Sequence, residues 1–380
     1  MTLQKNCTME IKYNHEDKIF SIIDNGDEVG SIPFPYPDYN KPDNIFKEGN
    51  VSNYSFSIYY RKDLRELEYY EIFVNKIRIG WIIPLSALTT EDENLLKVQY
   101  LNEYVFWAYC HLLKKREIQD KINDSEEMSF SDILSELYPD GSLLIIEKGK
   151  MPEGKTEKSY ELSLASNGYF KKQVNYRNPK IKSKSNNKLK LTSASEILNA
   201  DGSYMNTYIN EFLTKHVYNE NSFIRFFYLY QIVEILLDAE MVELLRDYAK
   251  KIENNEVTFR TAENGLQKNT ESERFKKIVE RAGLFNKEIY DYNVFDNVCV
   301  KFVGLEEEKK EKEKEIKKGT KGVNVDKFKH PEIIYQVRNH IVHRFRKAIA
   351  DEDTVKDICD HLELYLYDLL IAYKKPDANS

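Results

Sequence analysis

The sequence lacks most of the features that mark secreted, membrane-bound and disulfide-stabilised proteins. It has four cysteines, Cys7, Cys110, Cys299 and Cys359, which lie far apart and form no C-x-x-C pair. This spacing predicts neither a disulfide framework nor a zinc ribbon, and it favours a reducing compartment. No stretch approaches 18 uninterrupted apolar residues, and the N-terminus lacks the apolar segment of a secretory signal. We therefore expect a cytoplasmic protein with no membrane partner.

The sequence also lacks a strong excess of positive charge. Its 56 Lys and Arg residues face 63 Asp and Glu residues, which gives a formal net charge of −7. Any binding of nucleic acid must therefore depend on a local basic patch. No G-x-x-x-x-G-K-[ST], H-E-x-x-H or G-x-S-x-G motif occurs. These absences argue against P-loop nucleotide chemistry, zinc peptidases and α/β-hydrolases.

The residues that are present predict a multidomain α+β protein. With 380 residues, of which 41% are hydrophobic, the chain is long enough for two domains. Residues 1–160 read as a β-rich sensor or binding domain with some helices, because short apolar stretches alternate with turn residues such as Asn25-Gly26. One of those helices is expected to begin near Ser129 or Ser131 as N-cap. Residues 204–380 show helical periodicity throughout and predict an all-α domain.

A basic segment at 161–203 separates these two predicted domains. From Leu162 to Ser195 it contains no acidic residue, and its basic residues lie close together in sequence. We interpret the segment as an exposed linker; the alternative is that Lys171, Lys172 and Arg177 bind an RNA backbone beside nearby aromatic residues.

The most informative motif is Arg338-Asn339-His340-Ile341-Val342-His343, within a helix predicted from about 327 to 350. On a helical wheel the apolar residues around this motif share one face, which we expect to be buried. That face holds Ile334, Val337, Ile341, Val342, Phe345, Ala348 and Ile349. Arg338 falls on the same face, whereas His343 lies opposite and shares its side with Asn339. His340 lies on the flank.

Arg338 and His343 each have two interpretations. An arginine on an apolar face needs an acceptor, so Arg338 either pairs with a buried acid such as Glu234 or presents its guanidinium to a phosphate. A histidine on a polar face is either simply solvated or placed for proton transfer, for which its pKa is suited.

The segment Tyr335-Gln-Val-Arg-Asn-His-Ile-Val-His-Arg-Phe resembles the R-polar-x3-H motif of the HEPN superfamily, whose members are small helical bundles. The upstream stretch Phe226-Phe-Tyr-Leu-Tyr-Gln-Ile-Val-Glu is similar to a helix of the Apea-like HEPN group, which is associated with phage defence. The resemblance covers about residues 204–375. It implies a metal-independent endoribonuclease without a cofactor, in which two subunits form a composite site and RNA is cut to leave a 2′,3′-cyclic phosphate.

Carried onto this sequence, the resemblance implies a role for each residue of the motif. His343 would be the general acid or base, and Arg338 would stabilise charge on the phosphate. Asn339 would orient His343 or contact the phosphate. Glu234 would support Arg338, and His340 offers a competing proton carrier. Arg344 and Arg346, which follow the motif, are further candidates for RNA binding.

The implied partners are RNA, either tRNA or mRNA, a second copy of the chain, and a possible phage-derived trigger in an abortive-infection role. Two alternatives stay open. The first is an inactive HEPN module that only binds RNA or dimerises. The second is a metal-dependent nuclease around Pro139-Asp140 and Glu147, although Gly149 interrupts the Glu-x-Lys spacing that such a site needs.

Overall fold

The chain folds as an α+β protein, with an N-terminal β-sheet region followed by a mostly helical region, as the sequence predicts. The computed structural model describes residues 10–35, 48–61, 69–89, 101–124, 128–172, 188–193, 204–284, 292–318 and 328–373. These residues divide into two compact units, an N-terminal unit and a helical unit. Within the described ranges, no helix combines the length and the apolar character needed to cross a membrane.

The N-terminal unit contains two sheets. In the first, β1 (Glu10–Asn14), β2 (Ile19–Asp24) and β3 (Asp27–Pro33) are antiparallel and adjacent in order. Asn25 and Gly26 join β2 to β3 with φ values of 53° and 96°. Positive φ at both positions is typical of the type I′ turn that matches strand twist, so the predicted turn is confirmed.

The second sheet has the strand order β4-β7-β6-β5-β8. Its strands are β4 (Tyr54–Tyr60), β5 (Tyr70–Val74), β6 (Ile77–Pro84), β7 (Gly141–Glu147) and β8 (Lys188–Lys190). β8 is parallel to β5, and the other pairs are antiparallel. Because β7 lies between β4 and β6, the chain up to Glu147 belongs to this unit.

Short helices complete the N-terminal unit. They are α1 (Leu85–Leu88), α2 (Leu101–Leu112), α3 (Arg116–Asp124) and α4 (Phe130–Leu137). Ser129 caps α4: its hydroxyl accepts from the backbone N–H of Asp132, whose carboxylate accepts from Ser129 in return. This capping box satisfies free N–H groups at the helix start and confirms the predicted cap. The rings of Phe20, Phe106 and Tyr109 pack together in the core.

The segment predicted as a linker, 161–203, contributes to both units. Residues 157–168 belong to the helical unit, and α5 (Glu161–Ser166) packs there against the last helix of the chain. Phe170 then pairs with Tyr60 of β4, and β8 pairs with β5 in the N-terminal unit. The described parts of the segment are therefore held by backbone hydrogen bonds and packing, which its polar composition does not reveal. Residues 173–187, including Arg177, lie outside the described residues.

The helical unit is built from α-helices of very different lengths. They are α5, α6 (Tyr204–Val217), α7 (Ser222–Glu253), α8 (Phe259–Lys268), α9 (Glu271–Arg281), α10 (Tyr292–Val303), α11 (Glu306–Lys317), α12 (His330–His343), α13 (Phe345–Ile349) and α14 (Glu352–Ala372). The first half of α7 is central, as its apolar sequence predicts: Phe226, Leu229 and Val233 are buried, and α6, α9 and α14 pack around the helix. The Glu- and Lys-rich α11 is helical and buries no residue.

A buried polar cluster joins α6, α7 and α14 in this core. Arg225 Nη2 lies 3.1 Å from Asp360 Oδ1 and 3.6 Å from Glu363 Oε2. His216 Nε2 lies 3.3 Å from Glu363 Oε1, and the Tyr367 hydroxyl donates to the same oxygen. Ionisable side chains are costly to bury unless they contact complementary groups in this way, so the cluster favours the packing of these three helices that is observed.

We expect the cluster to make the stability of the helical unit depend on pH. Burial, together with the charge of Glu363, raises the pKa of Asp360 to about 8. An unfolded aspartate titrates near pH 4, so between about pH 4 and 8 the folded state holds a proton that the unfolded state has lost. Stability is therefore greatest at low pH in this window and falls as the pH rises towards 8, by about 1 kcal/mol per pH unit.

The matched variant is Asp360→Asn, which keeps the shape of the side chain and does not ionise. Urea unfolding followed by far-ultraviolet circular dichroism at pH 5, 6.5 and 8 measures the difference between the two proteins. The wild type is expected to lose stability relative to Asp360→Asn as the pH rises. Parallel pH profiles for the two proteins would contradict the assignment to Asp360.

Candidate functional site

The R-polar-x3-H motif occupies the last turns of α12. Pro331 lies in the first turn, where a missing N–H costs nothing, and Ile333, Ile334, Val337 and Ile341 are buried. These side chains face the core, and α12 packs against α9 and α10. The buried face of the helix therefore fixes the direction of the motif side chains.

The predicted single helix 327–350 is wrong in one respect, because it breaks directly after the motif. Arg344 has φ −125° and ψ 34°, which ends α12 and precedes α13. Beyond the break Ala348 is buried as predicted, whereas Phe345 and Ile349 are exposed, as is Val342 just before it. The break turns α13 away from the continuous helical wheel, so Phe345 and Ile349 lie on the surface although they were predicted to be buried. Val342 lies before the break, and its predicted burial is also wrong.

Arg338 is held by three neighbouring groups. Its Nη2 lies 3.9 Å from Glu234 Oε1, its Nη1 donates to Asn339 Oδ1 at 3.1 Å, and its guanidinium lies 5.9 Å from the centre of the Tyr230 ring. The side chain is still 31% exposed. The expected pairing with Glu234 is thus present, and it leaves part of the guanidinium open to solvent.

His343 is the last residue of α12, and its side chain is exposed. It follows Arg338 by five residues, which corresponds to a rotation of about 140° around a helix. The two side chains of one subunit therefore leave α12 in different directions. Asn339 shares the His343 side of the helix by spacing, and the contact that the structure gives its amide oxygen is with Arg338.

His340 differs from His343 in its surroundings. Its ring is half-buried and packs 5.0 Å from the ring of Phe302 in α10. Burial lowers the pKa of His340, and the positive charges of Arg344 and Lys347 lower it further. His340 is therefore mainly neutral near pH 7, and packing accounts for its position.

The other candidates for RNA binding are surface residues. Arg344 and Arg346 are exposed beside the motif, together with Lys347. Lys171 and Lys172 are exposed in the N-terminal unit, where the Lys171 ammonium lies 5.9 Å from the centre of the Tyr59 ring. Arg346 and Lys347 in α13 follow His343 by three and four residues, so among these surface cations they and Arg344 are the ones adjacent to His343 in sequence.

The segment considered for a metal-dependent nuclease has a different arrangement from such a site. Asp140 lies in the turn before β7 with φ 57°, and Glu147, which ends the strand, pairs with Lys150 at 2.7 Å. The part of the chain that the structure describes contains no group of three or more His, Cys, Asp or Glu side chains able to hold a metal ion.

Tyr230 and Gln231 are the residues near Arg338 that the sequence analysis did not single out. Gln231 donates its amide N–H to Glu234 Oε2, the oxygen that does not face Arg338. Both residues precede Glu234 by one helical turn on α7, Tyr230 by four positions and Gln231 by three. Residues three or four apart on a helix are neighbours, so this spacing alone would have placed Tyr230 and Gln231 beside Glu234.

Comparison of the chain with protein-family models, with curated proteins and with solved structures finds no match.

Proposed function

We propose that this protein is a metal-independent endoribonuclease of the HEPN type, with an active site completed by a second copy of the chain. The observation that supports this most directly is the orientation of the Arg338 side chain together with the exposure of the His343 side chain. Arg338 is oriented by Glu234, Asn339 and Tyr230 but stays accessible, and His343 is exposed at the end of the same helix. An oriented guanidinium and an accessible imidazole are the two groups that metal-free phosphodiester cleavage needs.

In the proposed reaction the 2′-hydroxyl of the RNA attacks the adjacent phosphorus, and the 5′-oxygen of the next nucleotide leaves. His343 transfers one of the two protons, either from the attacking hydroxyl or to the leaving oxygen, and solvent water transfers the other. Arg338 donates to the phosphate oxygens, on which negative charge increases in the transition state. The products are a 2′,3′-cyclic phosphate and a 5′-hydroxyl. Arg344 and Arg346 would bind neighbouring phosphates.

Two observations support a composite site between subunits. The first is the rotation of about 140° between Arg338 and His343, which favours one group from each subunit acting on the same phosphate. The second is a set of exposed apolar side chains on α7, at the end of α12 and on α13, which we call the apolar patch: Ile224, Phe227, Val342, Phe345 and Ile349. The rings of Phe223 and Phe345, 5.3 Å apart, connect the α7 and α13 parts of this patch. Exposed apolar patches commonly mark interaction sites.

Ile349→Asp is expected to separate the subunits. Ile349 is 51% exposed in the apolar patch, so the change leaves the core intact and places a charge in the proposed interface. Light scattering after gel filtration should show a monomer, and RNA cleavage should fall by about tenfold or more at the same concentration. Ile77→Asp is the control, because Ile77 is 57% exposed in the N-terminal unit. A dimeric Ile349→Asp protein with full activity would contradict the proposed interface.

The direct test of the proposed function is incubation of the purified protein with total tRNA in the presence of EDTA. End-group analysis should find 2′,3′-cyclic phosphates and 5′-hydroxyls. RNA that is cleaved without EDTA but stays intact with it would favour the metal-dependent alternative. RNA that stays intact in both conditions would favour the inactive RNA-binding or dimerisation module. A role in abortive infection, with a phage-derived trigger acting on the N-terminal domain, is the biological setting that the HEPN resemblance implies.

A further inference from the structure

The two oxygens of the Glu234 carboxylate have different partners. Oε2 accepts the amide N–H of Gln231, and Oε1 faces Arg338 Nη2 at 3.9 Å. A carboxylate with one oxygen bound in this way has little freedom to rotate. Gln231 therefore determines where the second oxygen lies, and with it the direction in which Arg338 is attracted.

Tyr230 restricts the same guanidinium from another side. Its ring is buried, stacks on Phe226 with ring centres 5.9 Å apart, and lies 5.9 Å from the Arg338 guanidinium carbon. Burial raises the pKa of Tyr230, so the ring stays uncharged at neutral pH. An aromatic face at this distance attracts a cation without using any of its N–H donors.

We propose that Tyr230 and Gln231 are positioning residues that fix the Arg338 guanidinium for phosphate binding, an inference that rests on the proposed function. Of the five N–H donors of an arginine, one is used by Asn339 and one points towards Glu234. Within the described residues no acceptor is shown for the other donors, which we assign to the substrate. Neither Tyr230 nor Gln231 touches the phosphate; each acts through the geometry of Arg338.

Gln231→Leu tests the proposal with the smallest disturbance, because Gln231 is half-buried and leucine is similar in size. Glu234 loses its fixed rotamer, and Arg338 samples directions that do not match the transition state. Single-turnover and steady-state kinetics should show kcat lower by about tenfold with KM within about twofold, since the lost interaction matters mainly in the transition state. Gln267→Leu is the control, because Gln267 is exposed on α8.

A second pair of variants examines Tyr230. Tyr230→Phe keeps the aromatic face and should cleave at the wild-type rate, whereas Tyr230→Leu removes the face and should lower kcat by about tenfold. A wild-type rate for Tyr230→Phe would show that the aromatic ring, and not the hydroxyl, is what RNA cleavage requires at this position.

A double-mutant cycle separates positioning from a loss of folded protein. If Gln231 acts through Glu234, then Gln231→Leu should cause no further loss in a Glu234→Ala background. If the two changes instead act independently, so that their fold losses in kcat multiply in the double variant, the role of Gln231 is overturned.

The Arg338→Ala protein is assayed in parallel. If it is inactive while Gln231→Leu and Tyr230→Leu keep the wild-type kcat, the proposed function stands and the positioning role is overturned. If the wild type does not cleave RNA, or Arg338→Ala cleaves equally well, both proposals fail together.

Discussion

His343→Ala and Arg338→Ala should each lower RNA cleavage in EDTA by about a hundredfold or more. Loss of a general acid or base, or of a preorganised donor to a developing negative charge, costs this much in other enzymes. His343 is exposed, so its removal leaves the core intact, and Arg338 contacts the surface-accessible Glu234. Both variants should therefore fold normally, as circular dichroism and gel filtration would show.

His340→Gln is the matched control for this experiment. His340 lies on the same helix, but its ring packs against Phe302, and burial and nearby cations lower its pKa. We expect activity within about threefold of the wild type, a difference typical of residues outside the reacting groups. Full cleavage by His343→Ala would favour the inactive-module alternative. Loss of cleavage by His340→Gln alone would move the proton carrier to His340.

Arg225→Met should destabilise the helical unit by about 3–5 kcal/mol. Arg225 is 1% exposed, and its removal leaves the carboxyl groups of Asp360 and Glu363 buried without their cation. Methionine fills much of the volume of the lost side chain, so the expected loss comes mainly from the unpaired charge. Urea unfolding at pH 7.5, followed by far-ultraviolet circular dichroism, measures this difference.

Arg246→Met is the control on the same helix. Arg246 pairs with Glu243 at 2.7 Å but is 62% exposed, so the change should cost less than about 1 kcal/mol. The double variant Arg225→Met/Glu363→Gln should recover part of the stability, because the Glu363 carboxyl that has lost its cation is then replaced by a neutral amide. Equal costs for Arg225→Met and Arg246→Met would show that the cluster contributes no more than a surface ion pair.

Features that follow from local pattern were accessible from the sequence. The apolar residues around Phe226 and Val233 identify α7 as a central helix, and Ser129 followed by Asp132 identifies a helix start. The contact between Arg338 and Glu234 was expected because each is a charged residue within an apolar helix. In each case the sequence carries the physical cause, namely periodicity, a cap, or a charge that needs a partner.

Features that depend on tertiary packing were not accessible. Nothing near Arg344 is a helix breaker, yet α12 ends there, and Phe345 contacts Phe223 from a distant part of the sequence. The pairing of Lys188–Lys190 with β5 could not be read from a basic, polar segment. Tyr230 looked like one more core residue, and its position beside Arg338 appears only when α7 and α12 are placed together.

The path of the chain between its two units limits how the protein can be dissected. Residues 157–168 lie in the helical unit, residues 169–172 and 188–191 lie in the N-terminal unit, and the chain from residue 204 onward lies in the helical unit. A fragment that starts at Tyr204 would discard α5 and uncover the side of α14 against which it packs. Removal of everything after Gly168 would equally deprive β5 of its parallel neighbour β8. No single cut yields two intact halves, so biochemical assignment of activity to one half requires point substitutions in the uncut chain.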